Sequence, residues 1–249
     1  MKPRIFLSDN DGTLTVSRKP CAPEIERTLI DFADKFPLVL VTGSPYEDML
    51  DQHTAEFLNH PNVEFAVDMG NTIYKKGKVV YTTGKVFDTS VVMPHIEHIL
   101  QSCPIRYPGK TYPEKYKVST RFNFTILGRP NNTDNPTSDE CHAYGEWDKI
   151  NGQRAWVIEY LRGALKDYNI TLGGSISIDI TKDGDGKEQA VGYYAAKGYD
   201  VSYIGDRIGP DGNDHTSALE TVRHGGSVYA VGNPGYTARL LRGIIRDEG

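Results

Sequence analysis

The sequence predicts an α/β fold in which a doubly wound parallel-sheet core carries an inserted α+β cap. Apolar strand patterns alternate with helical patterns over the first third of the chain, and the same alternation resumes after Gly186. Between these two stretches the order of elements changes and the alternation stops. We therefore expect a core formed by residues 1–84 and 186–249, with the cap at residues 85–185.

The first core stretch begins with a short apolar strand that ends in the turn sequence Asp9-Asn10-Asp11-Gly12. An all-apolar run at residues 37–41 is typical of a strand that is covered on both faces of a parallel sheet. The predicted elements of this stretch are strands at residues 4–8, 37–41 and 63–67, helices at residues 23–36 and 45–58, and a hairpin at residues 71–82.

The inserted stretch contains helices and extended segments in another order, with a polar loop at residues 130–138. Its predicted elements are helices at residues 94–102 and 154–168, an extended segment at residues 117–128 and a strand at residues 175–180. The second core stretch is predicted to contain helices at residues 187–197, 215–222 and 234–245, with strands at residues 201–204 and 227–230.

Composition and charge exclude several classes of protein. The formal net charge of -5 is spread along the chain, and the sequence has no basic stripe of the kind that binds nucleic acid. Three cysteines without metal-ligand spacing predict no disulfide framework. No apolar run approaches the ~20 residues of a membrane span. We expect a cytoplasmic protein that binds neither nucleic acid nor membranes.

Asp9 and Asp11 follow the first predicted strand, at the edge of an open parallel sheet where ligands bind. Two carboxylates at this spacing can hold a hard cation, and one can attack phosphorus while the other transfers a proton. A simple turn is an equally common use of this short sequence. A calcium loop is excluded by its spacing, because Leu7 and Arg18 would occupy the two terminal ligand positions.

Four more polar residues follow later in the chain, and each has a structural alternative. Thr42 follows the second predicted strand, where a hydroxyl can hold a phosphoryl oxygen or cap a helix. Lys187 opens a helix and would otherwise be a surface lysine. Asp206 and Asp214 flank a loop rich in Pro and Gly, where acids often make turns. Their order at the carboxyl ends of successive strands favours a shared phosphoryl-transfer site.

These residues resemble the four motifs of the haloacid dehalogenase superfamily, and more closely those of its eukaryotic-type phosphomannomutases. The resemblance covers nearly the whole chain, and the four-motif set is highly specific for the superfamily. The segments that carry it are Asp9-Asn10-Asp11-Gly12-Thr13-Leu14-Thr15, Val41-Thr42-Gly43-Ser44, residues 173–179, Asp183-Gly184 with Lys187, and residues 204–215.

The resemblance implies an aspartyl-phosphate mechanism with Mg²⁺ as cofactor. Asp9 would be the nucleophile and Asp11 the general acid/base. Thr42 would orient the phosphoryl group, and Lys187 would neutralise the crowded negative charge. The implied metal site comprises Asp9, the backbone carbonyl of Asp11, Asp206 and, in the surrounding acidic shell, Asp214. The implied sugar-phosphate ligands are Arg18, Asn123, Arg129, Ser177 and Asp179.

The activity that the resemblance implies is interconversion of hexose 6-phosphate and 1-phosphate, mannose first and glucose second, with a hexose bisphosphate as activator. It also implies a homodimer formed through the cap. A sugar-phosphate phosphatase is the alternative, because the cap departs from the family's arginine pattern at Val118 and near Cys141. Arg121, Lys117 or Arg106 could supply the missing cation. A binding protein without turnover is disfavoured, since it would need no nucleophile.

Overall fold

The computed structural model describes residues 2–17, 19–111, 116–125, 127, 136–174 and 176–248. The chain divides into two compact units, one formed by Met1–Lys85 with Asp185–Gly249 and the other by Val86–Gly184. We refer to them as the first unit and the second unit. Among the described residues, no helix combines the length and the apolar character needed to cross a bilayer.

Strands and helices alternate in both stretches of the first unit and follow another order in the second unit. Before the insertion lie β1 (Arg4–Asp9), α1 (Pro23–Ala33), β2 (Leu38–Val41), α2 (Tyr46–Gln52), α3 (Ala55–Leu58), β3 (Val63–Val67), β4 (Thr72–Lys75) and β5 (Lys78–Thr82). The second unit contains α4 (Met93–Ser102), β6 (Tyr116–Val118), β7 (Phe122–Thr125), α5 (Ser138–Asn151), α6 (Gln153–Ala164), β8 (Tyr168–Gly173) and β9 (Ser177–Lys182), with a 3₁₀ turn at Thr89–Val91. The first unit resumes with α7 (Glu188–Ala196), β10 (Asp200–Gly205), α8 (His215–Arg223), β11 (Ser227–Ala230) and α9 (Pro234–Glu248).

The sheet of the first unit has the strand order β11-β10-β1-β2-β3-β4-β5. The first five strands of this order are parallel, and β4 and β5 add an antiparallel hairpin at one edge. Strand β10 pairs with β1, from Arg4 opposite Asp200 to Ser8 opposite Ile204. Stretches on either side of the insertion therefore complete one sheet, as predicted for a doubly wound core.

Helices cover both faces of this sheet because its central strands are apolar on both sides. Side chains on one face, including Phe6 and Leu40, pack in a buried cluster with residues of α1 and α9. Side chains on the other face, including Leu7 and Val39, pack in a second cluster with residues of α7. Full burial of such a side chain contributes roughly 1.5–3 kcal/mol, which fixes the register of strands whose ends carry the polar motifs.

The helix predicted at residues 45–58 is interrupted. The chain forms α2 and α3 instead, because His53 leaves the helix with an extended backbone at φ −127° and ψ 150°. The buried ring of His53 places Nδ1 3.2 Å from Glu26 Oε1 and Nε2 3.0 Å from Asn10 Oδ1. Both contacts are made outside α2, and they account for a break that helical periodicity alone does not show.

The second unit is built on a four-stranded antiparallel sheet of strand order β6-β7-β9-β8. One face is apolar, and its side chains, including Phe122 and Ile178, pack with α4 and α6 in one buried cluster. Alternation along the strands places polar side chains on the opposite face. That face carries Asn123, Ser177 and Asp179, all of them buried.

Two elements of the second unit differ from the prediction, and the predicted loop at residues 130–138 lies largely outside the described residues. The sequence pattern does not predict α5, whose start is fixed by a capping box between Thr137 and Glu140. The helix predicted to reach residue 168 ends at Ala164, and β8 follows it. Pairing of β8 with β9 buries Ile170, so strand pairing overrides the helical pattern there.

A buried ion pair holds the junction between α5 and α6. Arg154 donates from Nε to Asp148 Oδ2 at 2.7 Å and from Nη1 to the carbonyl of Gly174 at 3.0 Å. The side chains of Arg154 and Asp148 are both buried. The pair thereby links the start of α6 to the turn that precedes Ser177.

We expect Arg154→Ala to lower the free energy of unfolding by about 3–5 kcal/mol, because it leaves Asp148 buried without its cation. Chemical denaturation of the purified variant measures this loss. Lys149→Ala serves as the control, since Lys149 forms a solvent-exposed pair with Glu146 whose loss should change stability little. Equal losses in the two variants would show that burial gives the Arg154 pair no special importance.

Candidate active site

The carboxyl edge of the parallel sheet brings the polar motifs of the first unit together. Asp9, the last residue of β1, lies opposite Val41 at the end of β2, and Thr42 follows directly. On its other side β1 pairs with β10, which ends at Gly205, the residue before Asp206. Because parallel strands end at the same edge, motifs far apart in the sequence meet in one place.

Lys187 is buried at this edge and pairs with two carboxylates. Its Nζ donates to Asp9 Oδ1 and, at 2.8 Å, to Asp214 Oδ1. The residue is 1% exposed, which rules out the surface-lysine alternative. A buried ammonium between buried carboxylates is stable only as a set, because the loss of one partner leaves an unpaired charge away from water.

Asp214 is held by donors from three different segments. Besides Lys187, the Tyr203 hydroxyl donates to Oδ1 at 2.8 Å, and the Arg207 backbone N–H donates to Oδ2 at 3.1 Å. A Cβ on Gly205 would lie 2.7 Å from Asp214 Oδ2, so glycine permits the close approach of this carboxylate. With its position fixed in this way, Asp214 orients the Lys187 ammonium toward Asp9.

Thr13 lies between the carboxylates of Asp9 and Asp206. Its hydroxyl is 3.1 Å from Asp9 Oδ2 and 3.4 Å from Asp206 Oδ1, and its single proton can be donated to one of them at a time. Gly12 turns the chain here with φ 92°, and a Cβ at this position would lie 2.6 Å from Asp206 Oδ2. The turn needs glycine both for its backbone conformation and for the approach of Asp206.

Burial and crowding change the protonation of these groups. Burial and the neighbouring Asp214 carboxylate raise the pKa of Asp9 to about 7, although Lys187 counteracts them. Burial lowers the pKa of Lys187, but the Asp214 and Asp9 carboxylates outweigh it and leave that pKa above its ordinary value. Burial and Asp214 also raise the pKa of Asp206. One ammonium is therefore too little to keep the crowded carboxylates fully ionised, and their full negative charge would need a further cation.

This donor set fits a hard dication. Among the described residues, carboxylate oxygens of Asp9, Asp206 and Asp214 lie within 4.8 Å of one another. All of these ligand atoms are oxygen, as Mg²⁺ prefers, and the excess negative charge calls for a counter-ion. The Asp11 carboxylate is not part of this group and accepts a hydrogen bond from Gln52 Nε2 at 3.0 Å.

Thr42 is buried beside the same edge, and its side chain does not cap a helix. Its Oγ1 accepts a hydrogen bond from the Ser44 backbone N–H at 3.1 Å. Helix α2 begins after Pro45 and has no side-chain cap hydrogen bond. The helix-cap alternative is therefore wrong, and a hydroxyl that accepts from Ser44 can still donate its own proton to a phosphoryl oxygen.

The second unit brings Asn123, Ser177 and Asp179 together on the polar face of its sheet. Asn123 Nδ2 donates to Asp179 Oδ1 at 2.6 Å, and the Ser177 hydroxyl donates to the Gly173 carbonyl. The Oδ1 atom of Asn123 is buried and accepts no hydrogen bond within the described part of the chain. A buried acceptor left in this way suits a hydroxyl donor from a ligand.

The arginines expected to bind phosphate have different positions. Arg121 donates from Nη1 to Asp179 Oδ2 at 2.6 Å, so its charge is committed to a carboxylate that is 2% exposed. Arg106 donates to two backbone carbonyls in the last turn of α4 and therefore supports a helix end. Arg18 and Arg129, which the resemblance implies as ligands, lie outside the described residues.

Three side chains that contribute to the first-unit site were not assigned a role from the sequence: Thr13, Gln52 and Tyr203. Thr13 lies within a recognised motif, so the motif was an available signal. Tyr203 lies in an apolar strand, and Gln52 lies inside the helix predicted at residues 45–58. At such positions a side chain that supports a site has the same sequence pattern as one that packs a core.

A family model describing eukaryotic phosphomannomutases matches residues 25–247. Among curated proteins, the phosphomannomutase of Schizosaccharomyces pombe is 26% identical over 254 residues, which cover 97% of this chain and 94% of that protein. The probable phosphomannomutase of Caenorhabditis elegans is likewise 26% identical over 254 residues, with 98% of this chain and 96% of that protein covered.

A solved structure of IMP-bound Plasmodium falciparum IMP-nucleotidase resembles the fold with a TM-score of 0.62. The two chains are 16% identical, and the match covers 98% of this chain and 68% of that one. At this identity the likeness speaks for the fold alone, and it agrees with the predicted α/β fold with an inserted unit. The family model spans most of the length of this chain, and the chain therefore belongs to the eukaryotic phosphomannomutase family.

Proposed function

We propose that this enzyme interconverts hexose 6-phosphate and hexose 1-phosphate, mannose first and glucose second, through an aspartyl phosphate on Asp9. The observation that carries the proposal is the placement of Asp9 at the carboxyl edge of the sheet, held by Lys187 and Thr13 beside Asp206. Family membership supplies the sugar-phosphate substrate class.

In the proposed reaction an oxygen of Asp9 attacks phosphorus, and the bond between phosphorus and the sugar oxygen breaks. Asp11 gives a proton to the departing sugar oxygen as general acid. In the second half-reaction the free 1- or 6-hydroxyl of a hexose monophosphate attacks the aspartyl phosphate while Asp11 takes its proton, which forms the hexose bisphosphate. The bond to Asp9 then breaks, and the free carboxylate is restored.

Lys187 and Thr42 serve this chemistry through charge and orientation. The Lys187 ammonium offsets the negative charge of Asp9 and Asp214 when a phosphate approaches, which lowers the electrostatic barrier to attack. The Thr42 hydroxyl would hold a phosphoryl oxygen in line with Asp9. Neither residue needs to move, because both are buried and hydrogen-bonded in place.

Mg²⁺ is the proposed cofactor, with Asp9, Asp206 and the backbone carbonyl of Asp11 as ligands and Asp214 in the surrounding acidic shell. When bound, it would neutralise charge on the transferring phosphoryl group. The hard oxygen donors and their excess negative charge support this assignment.

The second unit, at about residues 85–185, is the proposed cap that selects the sugar. Asn123, Ser177 and Asp179 would bind sugar hydroxyls, and the buried Asn123 Oδ1, which accepts no hydrogen bond from the described residues, supports this assignment. Arg18 and Arg129 are the proposed phosphate ligands, since guanidinium groups bind phosphate with two hydrogen bonds. A hexose bisphosphate activator, a homodimer formed through the cap and a cytoplasmic location complete the proposal on the strength of the family resemblance.

A Mg²⁺-dependent sugar-phosphate phosphatase is the second candidate. The engagement of Arg106 and Arg121 in internal contacts favours it, since a mutase must also hold the phosphate that is not reacting. The fold that the chain shares with an IMP-nucleotidase is compatible with either activity. In that case water instead of a sugar hydroxyl would discharge the aspartyl phosphate.

A coupled assay of mannose 1-phosphate conversion, run with and without hexose bisphosphate, separates the two activities. A mutase forms mannose 6-phosphate faster when the bisphosphate is added and releases little free phosphate. Rapid phosphate release with no 6-phosphate at any bisphosphate concentration would establish the phosphatase instead.

We expect Arg121→Ala to lower kcat/KM for hexose phosphate roughly tenfold to a hundredfold, because Asp179 loses its charged partner. Turnover of p-nitrophenyl phosphate, which has no sugar to orient, should fall much less. Arg106→Ala is the matched control, and it should leave the ratio of the two activities unchanged. Equal losses on both substrates in Arg121→Ala would indicate a role in folding alone.

Magnesium chelation should abolish turnover. Asp206→Ala should raise the Mg²⁺ concentration that gives half-maximal activity by at least about tenfold. Asp200→Ala, at the opposite end of the same strand, is the control and should behave as wild type. Full activity in excess chelator would contradict the proposed metal site.

In metal-free buffer the stability of the protein should fall as pH rises toward neutrality. Folding raises the pKa of Asp9 from 3.8 to about 7, so the folded state holds this proton more tightly than the unfolded state. The stability that this proton contributes is complete below pH 3.8 and is lost as pH rises through about 7. Denaturation curves should show the decline in wild type and a shallower one in Asp9→Asn; parallel curves would contradict the assignment.

A further inference from the structure

A chain of buried side-chain amides lies behind Asp11. Gln52 Nε2 donates to Asp11 Oδ1 at 3.0 Å, and Asn10 Nδ2 donates to Gln52 Oε1 at 2.8 Å. Asn10 is 0% exposed and Gln52 6% exposed. A buried amide cannot turn without breaking its hydrogen bonds, so each amide fixes the orientation of the next.

The far end of this chain is a buried histidine and a carboxylate. Asn10 Nδ2 is used by Gln52, so Asn10 presents its Oδ1 to His53, whose Nε2 lies 3.0 Å away and donates. His53 Nδ1 lies 3.2 Å from Glu26 Oε1, which also accepts from the Thr54 backbone N–H at 2.9 Å. Burial raises the pKa of Glu26, but these hydrogen bonds outweigh it and lower that pKa. Glu26 therefore ends the chain as an ionised acceptor.

The same region holds a second group of potential metal ligands, because atoms of Cys21, Glu26 and His53 lie within 4.8 Å of one another. Cys21 Sγ donates instead to the Leu14 carbonyl at 3.7 Å, and burial together with Glu26 raises the pKa of this thiol to about 12. A protonated thiol is a poor metal ligand. The geometry therefore favours a hydrogen-bonded support over a metal centre.

This series of hydrogen-bonded side chains connects two helices to the turn that carries Asp11. Glu26 lies in α1, and Gln52 is the last residue of α2. The Gln52 carbonyl also accepts from the Cys21 N–H at 2.7 Å, so its backbone is fixed as well as its side chain. The contacts therefore run from the helices that cover one face of the sheet to a carboxylate at the site's edge.

We propose that Gln52 is a positioning residue that aims the Asp11 carboxylate, and that Asn10, His53 and Glu26 hold Gln52 in its orientation. The inference rests on the proposed function, in which Asp11 transfers the proton of the sugar oxygen. If the inference is right, the rate of proton transfer by Asp11 depends on Gln52, and the rate of attack by Asp9 is independent of Gln52.

The test uses Gln52→Met, which preserves side-chain length and removes the hydrogen bond to Asp11. With p-nitrophenyl phosphate, the first turnover releases nitrophenolate, a leaving group that needs no proton, so the burst of nitrophenolate reports phosphorylation of Asp9. The burst rate should stay within about twofold of wild type. Steady-state conversion of hexose 1-phosphate, which needs Asp11, should fall roughly tenfold to a hundredfold.

Two further variants separate positioning from general destabilisation. Asn62→Leu removes a partly buried amide that donates to the Ala33 carbonyl, at the other end of the sheet, and should change neither rate. His53→Gln should lower steady-state turnover as Gln52→Met does. The double variant should be no less active than the less active of the two single variants, because both residues act through the same series of hydrogen bonds.

Each outcome decides the matter. An intact burst with slow steady-state turnover in Gln52→Met supports positioning. Equal loss of burst and turnover would show a structural role, and unchanged turnover would show that Gln52 is dispensable; either result overturns the inference. A wild-type enzyme that shows no burst and no phosphorylated Asp9 would instead overturn the proposed function, so the two failures are distinguishable.

Discussion

The contacts of Lys187 with Asp9 and Asp214 are the interaction on which the rest of the site depends. Three carboxylates crowded at the end of a buried sheet repel one another, and only a cation placed among them makes the arrangement stable. Lys187 reaches Asp9 because β10 pairs with β1, across an insertion that separates them in sequence. The topology of the sheet is therefore a condition of the chemistry. A single buried lysine still leaves negative charge, which suits a divalent cation and a phosphoryl group.

The second unit uses the same kind of pairing for another purpose. Asp179 and Asp148 are both buried there, and each is paired with an arginine. These pairs hold a polar face and the turn before Ser177 in place, where ordinary surface residues would be mobile. These two buried carboxylates are thus neutralised within the second unit. Under the proposed function, a sugar phosphate would then be recognised by oriented polar groups such as Asn123 Oδ1, together with the proposed phosphate ligand Arg129.

Much of this arrangement follows from the sequence, and the remainder has identifiable physical causes. The doubly wound core was predictable because apolar strands and amphipathic helices have distinct periods, and Asp9, Lys187 and Asp206 follow strands or open helices. Helix α5 was not, since a capping box and tertiary packing define it more than any apolar stripe. Gln52 and Tyr203 were missed because their roles depend on contacts across the fold. The roles of the predicted site residues stay predictions until they are measured.

The central claim is that Asp9 carries the phosphoryl group. Rapid acid quenching of the enzyme during turnover of isotopically labelled hexose bisphosphate, followed by peptide mass spectrometry, tests it most directly. We predict a labelled acyl phosphate on the peptide that contains Asp9, its formation at the rate of turnover, and its absence in Asp9→Asn. Label on another residue, or full turnover with no phosphorylated enzyme at any time, would contradict the account.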